Sequence, residues 1–158
     1  MDILRNSIVT LLVLVSVASS TPVDSTRDLL DAIEYGDGDR FLELMSESIR
    51  AQIESSYRQL KELAAEDPGM AETLLGELGM NLTVWDLERM TTGDFITRML
   101  SGVYLPPAEN VVSEEASLNG RNAEVVFTWD SGFSLTLQFT WEESDWKVTG
   151  TPVLDQLF

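Results

Sequence analysis

The chain has no cysteine and no histidine among its 158 residues. Their absence excludes disulfides, thiolate nucleophiles, zinc sites of the Cys/His kind, Ser-His-Asp triads and imidazole acid or base catalysis. Any chemistry is left to carboxylate, Tyr, Lys, Arg and hydroxyl groups, and no cofactor is implied. Basic residues are also scarce: ten Lys plus Arg stand against 27 Asp plus Glu, a formal net charge of −17 at pH 7. Such a surface repels phosphate backbones and anionic headgroups, so no nucleic acid partner is expected. It attracts cations or a basic partner, and it also keeps a chain in solution.

Long apolar runs are missing as well, except at the N-terminus. There Arg5 precedes Ser7 to Ala18 (SIVTLLVLVSVA), and Ala18-Ser19-Ser20 follows with small residues. This is the layout of a secretory signal peptide over about residues 1–20, although Asp2 weakens its positive end. The run is shorter than the roughly 20 residues that span a bilayer, so no permanent membrane span is expected after cleavage. Without a cysteine behind the run there is no lipoprotein anchor. The expected location is secreted or periplasmic. Asn81-Leu82-Thr83 matches a glycosylation sequon, a short pattern that chance supplies readily.

The remaining length suits one domain, residues 21–158, with a helical part over 21–104 and a sheet part over 108–151. Thr21-Pro22 begins a helix whose apolar positions Val23, Leu29, Leu30 and Ile33 recur at helical spacing until Gly36. A short helix with Phe41, Leu42, Leu44 and Met45 follows, taken to start at an Asp39 cap. Ser46 then caps a longer one with the stripe Ile49, Ile53, Tyr57, Leu60, Ala64, ended by Asp67-Pro68-Gly69. Met70 to Leu78 reads as another helix, closed by Gly79. Thr83-x-x-Asp86 and Thr91-x-x-Asp94 read as capping boxes of two more. Gly102 and Pro106-Pro107 close the helical half.

Beyond Pro107 the period falls to two. Phe133, Leu135, Leu137, Phe139 and Trp141 alternate with Ser134, Thr136, Gln138, Thr140 and Glu142. Ala123, Val125, Phe127 and Trp129 do the same, with Val126 the apolar exception on the other face. Asn119-Gly120, Asp130-Ser131-Gly132 and Glu143-Ser144-Asp145 supply turns. Four strands in a meander are predicted at about 109–118, 122–130, 133–142 and 145–151. The expected fold class is α+β, helices packed on a curved four-stranded antiparallel meander.

The stretch EYGDGDRF, residues 34 to 41, has the aspartate spacing of a calcium loop. With Asp37 at position 1, however, Phe41, Leu42 and Ser48 occupy positions 5, 6 and 12, where an oxygen ligand, Gly and Glu are needed. No metal site is expected; the stretch reads as a turn between helices.

LLDAIEYGDGDRFLELMSE resembles the signature of the nuclear transport factor 2-like (cystatin-like, cone-shaped α+β) superfamily, in a form similar to secreted bacterial members. In these a helix ends in a Gly-Asp turn, here Gly36-Asp37, and a second helix ending in Leu-Met-Ser follows. The close at Trp146-Lys147-Val148-Thr149-Gly150 fits as well. The helical stretch from Ser46 to Gly102 is longer than that family's core. The resemblance implies a cavity between curved sheet and helices, and the face expected inside carries Val125, Phe127, Trp129, Leu135, Leu137, Phe139, Trp141, Trp146 and Val148. None is ionisable, so no catalytic residue is assigned. Tyr57, Asp86 or Tyr104 could reach inward from the helices. Trp129 and Trp141, near strand ends, are expected to be partly exposed. The reading is a non-enzymatic binding or interaction domain for an apolar small molecule, a peptide or a partner protein. Two alternatives stay open: a metal-independent pocket enzyme of the isomerase, dehydratase or hydrolase type using carboxylate or Tyr, and a homodimer through the sheet, for which Val126 is the outer-face residue.

Overall fold

A computed structural model describes residues 20–152 and 154; the expected signal segment lies outside these apart from Ser20. Among the described residues, six named helices run in order: α1 (Pro22–Tyr35), α2 (Gly38–Leu44), α3 (Glu47–Glu66), α4 (Pro68–Glu77), α5 (Val84–Arg89) and α6 (Thr92–Leu100). A short 3-10 turn (Ala108–Asn110) leads into β1 (Val111–Asn119), β2 (Asn122–Trp129), β3 (Ser134–Glu142) and β4 (Asp145–Gly150). The strands form one antiparallel meander in sequence order. The α+β class and the four strands therefore stand where the alternation put them.

Helix boundaries follow local chemistry. Thr21, Thr83 and Thr91 each accept from the amide three residues on, while Asp24, Asp86 and Asp94 accept from the Thr amides in return. These are complete capping boxes with Asp as the reciprocal acid. Asp67 caps α4 through the Met70 amide, with Pro68 in the first turn. One cap differs from expectation. Asp37, not Asp39, caps α2, its carboxylate accepting from the Arg40 amide at 2.9 Å. The Gly36 turn is so tight (φ 65°) that α2 begins one residue after Asp37.

The second glycine of that stretch has another task. A Cβ on Gly38 would stand 2.0 Å from the carbonyl oxygen of Gly93 and 2.7 Å from the Thr97 amide. Helices α2 and α6 thus touch backbone to backbone, and Thr97 Oγ1 accepts from the Gly38 amide at 3.0 Å. On the other side of this pair, α1 and α2 lie on the sheet. Leu29, Leu30, Ala32, Phe41 and Leu44 bury themselves in the same core as Val125, Phe127, Leu135, Leu137, Phe139 and Val148. Helices α3, α4 and α5 pack on one another.

Both sheet edges are covered at their centres. Residues 45–46 add to β4: Met45 bridges Val148, and the Ser46 amide donates to the Val148 carbonyl at 2.9 Å. At the β1 edge Arg27 of α1 pairs with Glu114 at 2.6 Å. The far end of β1 is bare, with Leu118 exposed. The outer face is polar: Val126 sits between Glu115 and Thr136 on its neighbouring strands.

Two predictions come from this framework. Gly38→Ala should cost about 3 kcal/mol, because the obstruction is backbone. Gly93→Ala should cost less, since it meets the movable Asp39 carboxylate first. Gly76→Ala, with open space around it, should be neutral or stabilising by about 0.5 kcal/mol. Urea unfolding of the three variants measures the order. The second concerns pH. The backbone amides of Thr21, Thr83 and Thr91, then their hydroxyls, hold the Asp24, Asp86 and Asp94 carboxyls below the usual range. A depressed folded-state pKa gives stability that is present above the unfolded value and lost as pH falls through the folded one. Relief of the −17 self-repulsion acts in the opposite direction until the pI of about 4.1. The Tm should therefore rise from pH 7 to about 5 and fall steeply below about 4, as calorimetry against pH would register.

Candidate functional site

The aromatic face of the sheet was the expected wall of a cavity, and the structure fills that space. Phe127, Trp129, Leu135, Leu137, Phe139 and Trp146 are all buried, each contributing about 1.5–3 kcal/mol as core. Trp129, expected to be partly exposed, is 1% exposed. Its indole N–H donates to the Pro107 carbonyl at 2.9 Å, and its ring meets Phe127 and Phe133. Strand-end position gave the wrong expectation because the Pro106-Pro107 segment folds over the sheet end. Trp141 is partly buried as expected, edge-on to Trp146 at 5.2 Å.

The three helical candidates do not reach into the sheet. Tyr104 is 84% exposed. Asp86 is an exposed member of its capping box. Tyr57 is buried, but its hydroxyl lies 3.1 Å from the Leu87 carbonyl and 3.0 Å from that of Met90. Its ring stacks on Phe95 at 4.8 Å, and Lys61 Nζ stands 5.2 Å from the ring centre while donating to the Met90 carbonyl. Burial pushes the phenol above its usual range, and the Asp94 carboxylate adds to the shift. A neutral phenol donating to backbone carbonyls is a clamp between α3 and the α5–α6 junction, not a base.

Concave surface exists instead among the helices. A groove of about 350 Å³ lies between α3, α4 and α6. Ile53, Tyr57, Leu60, Leu74, Leu78, Phe95 and Met99 line it, with Ser56 and Glu77 the other lining residues. Ile53 and Ser56 also line a neighbouring cleft of about 360 Å³ that extends to Thr149, Thr151 and Leu154. Helix α4 explains the apolar wall. It buries Ala71 and Leu75 against its neighbours yet carries a second stripe, Met70, Leu74 and Leu78, of which Met70 and Leu78 are about half exposed. Two adjacent apolar stripes on a ten-residue helix exceed what one packing face needs. That surplus was the available signal in the sequence, where the segment read only as a helix.

A further groove of about 500 Å³ lies on the opposite face of α6, lined by Leu30, Ile33, Glu34, Tyr35, Leu100, Tyr104 and the Pro106-Pro107 segment among others. Of the residues expected to line a cavity, Tyr57 and Tyr104 line the helical grooves, and Phe139 borders a shallow cleft on the sheet. Among the described residues no group of three or more acidic side chains is placed to hold a metal, and no helix is long and apolar enough to cross a membrane.

Tyr57→Phe should leave the Leu87 carbonyl without this donor and cost about 1–2 kcal/mol. The raised phenol pKa means a stabilising contribution present below about pH 10 and lost as pH rises through the folded value. In an alkaline absorbance titration, one tyrosine step should lie above the ordinary phenol range and vanish in Tyr57→Phe.

Comparison with protein-family models, with curated proteins and with solved structures gave no match to this chain.

Proposed function

We propose that the protein is a non-enzymatic binding domain, exported from the cell, that receives an apolar small molecule or an apolar peptide side chain in the groove between α3, α4 and α6. The carrying observation is the groove's wall: seven of its nine lining residues are apolar or aromatic, and its ionisable groups are Glu77 and the engaged Tyr57. Its volume falls in the range of small-ligand pockets, roughly 300–1,000 Å³, and burying an apolar group there is the chemistry it offers. The half-exposed Leu78 at its mouth is surface that a ligand would cover.

Kinship with the nuclear transport factor 2-like superfamily remains part of the proposal, supported by the layer order and the Gly36-Asp37 turn between α1 and α2. On this reading the family's cone is closed by aromatic side chains and the added helices provide the binding surface. A carboxylate or tyrosine enzyme finds less support, since the Tyr57 proton is held by backbone carbonyls. A sheet-mediated homodimer would have Val126 amid polar neighbours as its apolar contact.

The test is titration with 1-anilinonaphthalene-8-sulfonate as an apolar probe, alongside native mass spectrometry of the protein purified without denaturation. Leu78→Asp should weaken probe binding about tenfold, the loss of one buried leucine contact, with the Tm nearly unchanged because Leu78 is half exposed. Unaltered binding in Leu78→Asp would refute this groove as the site.

A further inference from the structure

The groove on the opposite face of α6 collects groups that the rest of the described residues leave without partners. Its floor is apolar, with Leu30, Ile33 and Leu100 nearly fully buried, and two tyrosines rise at its rim, Tyr35 at 80% and Tyr104 at 84% exposure. Among the described residues neither tyrosine has a ring neighbour or a cation over its face. Elsewhere this chain does supply cations to its tyrosine and tryptophan rings. Arg89 stands 4.6 Å from the ring centre of the exposed Trp85, and Lys61 lies 5.2 Å from that of Tyr57.

The electrostatics point to the same missing partner. Helix α1 ends at this groove with no basic residue in its last turn. That turn instead carries Glu34, which lines the groove and has no ion pair among the described residues. A negative helix end beside an unpaired carboxylate is repulsive, and a cation relieves both. Arg27 is paired with Glu114, and Arg40 with Asp28 and Glu43. No Lys or Arg lines the groove. We infer that the groove formed by the ends of α1 and α6 and the Pro106-Pro107 segment docks an arginine- or lysine-bearing segment of a partner protein. Its cationic head lies against Glu34 and the faces of Tyr35 and Tyr104, and its aliphatic stem lies over Ile33 and Leu100. Attraction by the net charge of −17 brings such a segment to the surface; the rings and Glu34 select the place.

This surface shares no residue with the α3–α4–α6 groove, so either assignment can fail without the other. The experiment is a ¹⁵N chemical-shift titration with acetyl-tetra-arginine amide at about 0.1 M salt, with the uncharged tetra-citrulline peptide as control. Shifts are expected at Glu34, Tyr35, Gly36, Thr97 and Tyr104, and tetra-citrulline should bind at least about tenfold more weakly. Tyr35→Ala with Tyr104→Ala should weaken binding about tenfold, and Glu34→Gln about fivefold, while the paired Phe variants retain it. Both tyrosines are exposed, so circular dichroism should show an intact fold throughout. Shifts spread evenly over the acidic surface, or affinity unaffected by the Ala and Gln variants, would overturn the assignment in favour of unspecific charge attraction. Equal binding of tetra-citrulline would overturn it too.

Discussion

The backbone contact between α2 and α6 is the constraint on which the rest of the structure depends. Gly38 and the Gly93 carbonyl approach so closely that no side chain fits between them, and Thr97 adds a hydrogen bond to the Gly38 amide. Close approach holds α6 at a fixed height against the α1–α2 turn. One face of α6 then looks toward α3 and α4, where Phe95 and Met99 form a groove wall. The opposite face looks toward the close of α1, where Leu100 lines a groove with Leu30 and Ile33. A single interhelical distance therefore sets the shape of both concave surfaces.

The sheet contributes differently. Its inner face is saturated with large side chains, and α1 and α2 cover it, so the layer that a cone fold would use for a ligand is structural here. Concave surface lies instead on the helical side, where α4 and α5 rest on α3. An apolar stripe beyond the needs of packing and a rim of unpartnered tyrosines are both costly to leave in water, and both line grooves. Tyr57 ties α5 down by joining α3 to the carbonyls of Leu87 and Met90.

Much of the fold was legible in local residue patterns. Thr-x-x-Asp three times over, Ser46, Asp67-Pro68 and the Gly36 stop mark helix ends through contacts spanning three or four residues, which is why they can be read without a structure. The alternation from Phe133 to Trp141 states which side of β3 is buried. The candidate site was far less legible. Tyr104 and Asp86, read as able to reach inward, point outward or cap, and Trp129, expected to be partly exposed, is buried by a proline segment more than twenty residues earlier in the chain. EYGDGDRF was rightly a turn, yet with Asp37 as the cap and Gly38 as a contact point.

By itself, then, the sequence determined the order of helices and strands and most of their ends to within a residue or two, which strand face is apolar, and the strong negative charge, because capping, periodicity and ionisation are local properties. Only the tertiary structure decided that the aromatic face is filled, that Gly38 must lie against Gly93, and that surplus apolar and aromatic residues from distant segments line common grooves. Those outcomes depend on distances between elements separated by up to a hundred or so residues, and no local pattern encodes such a distance.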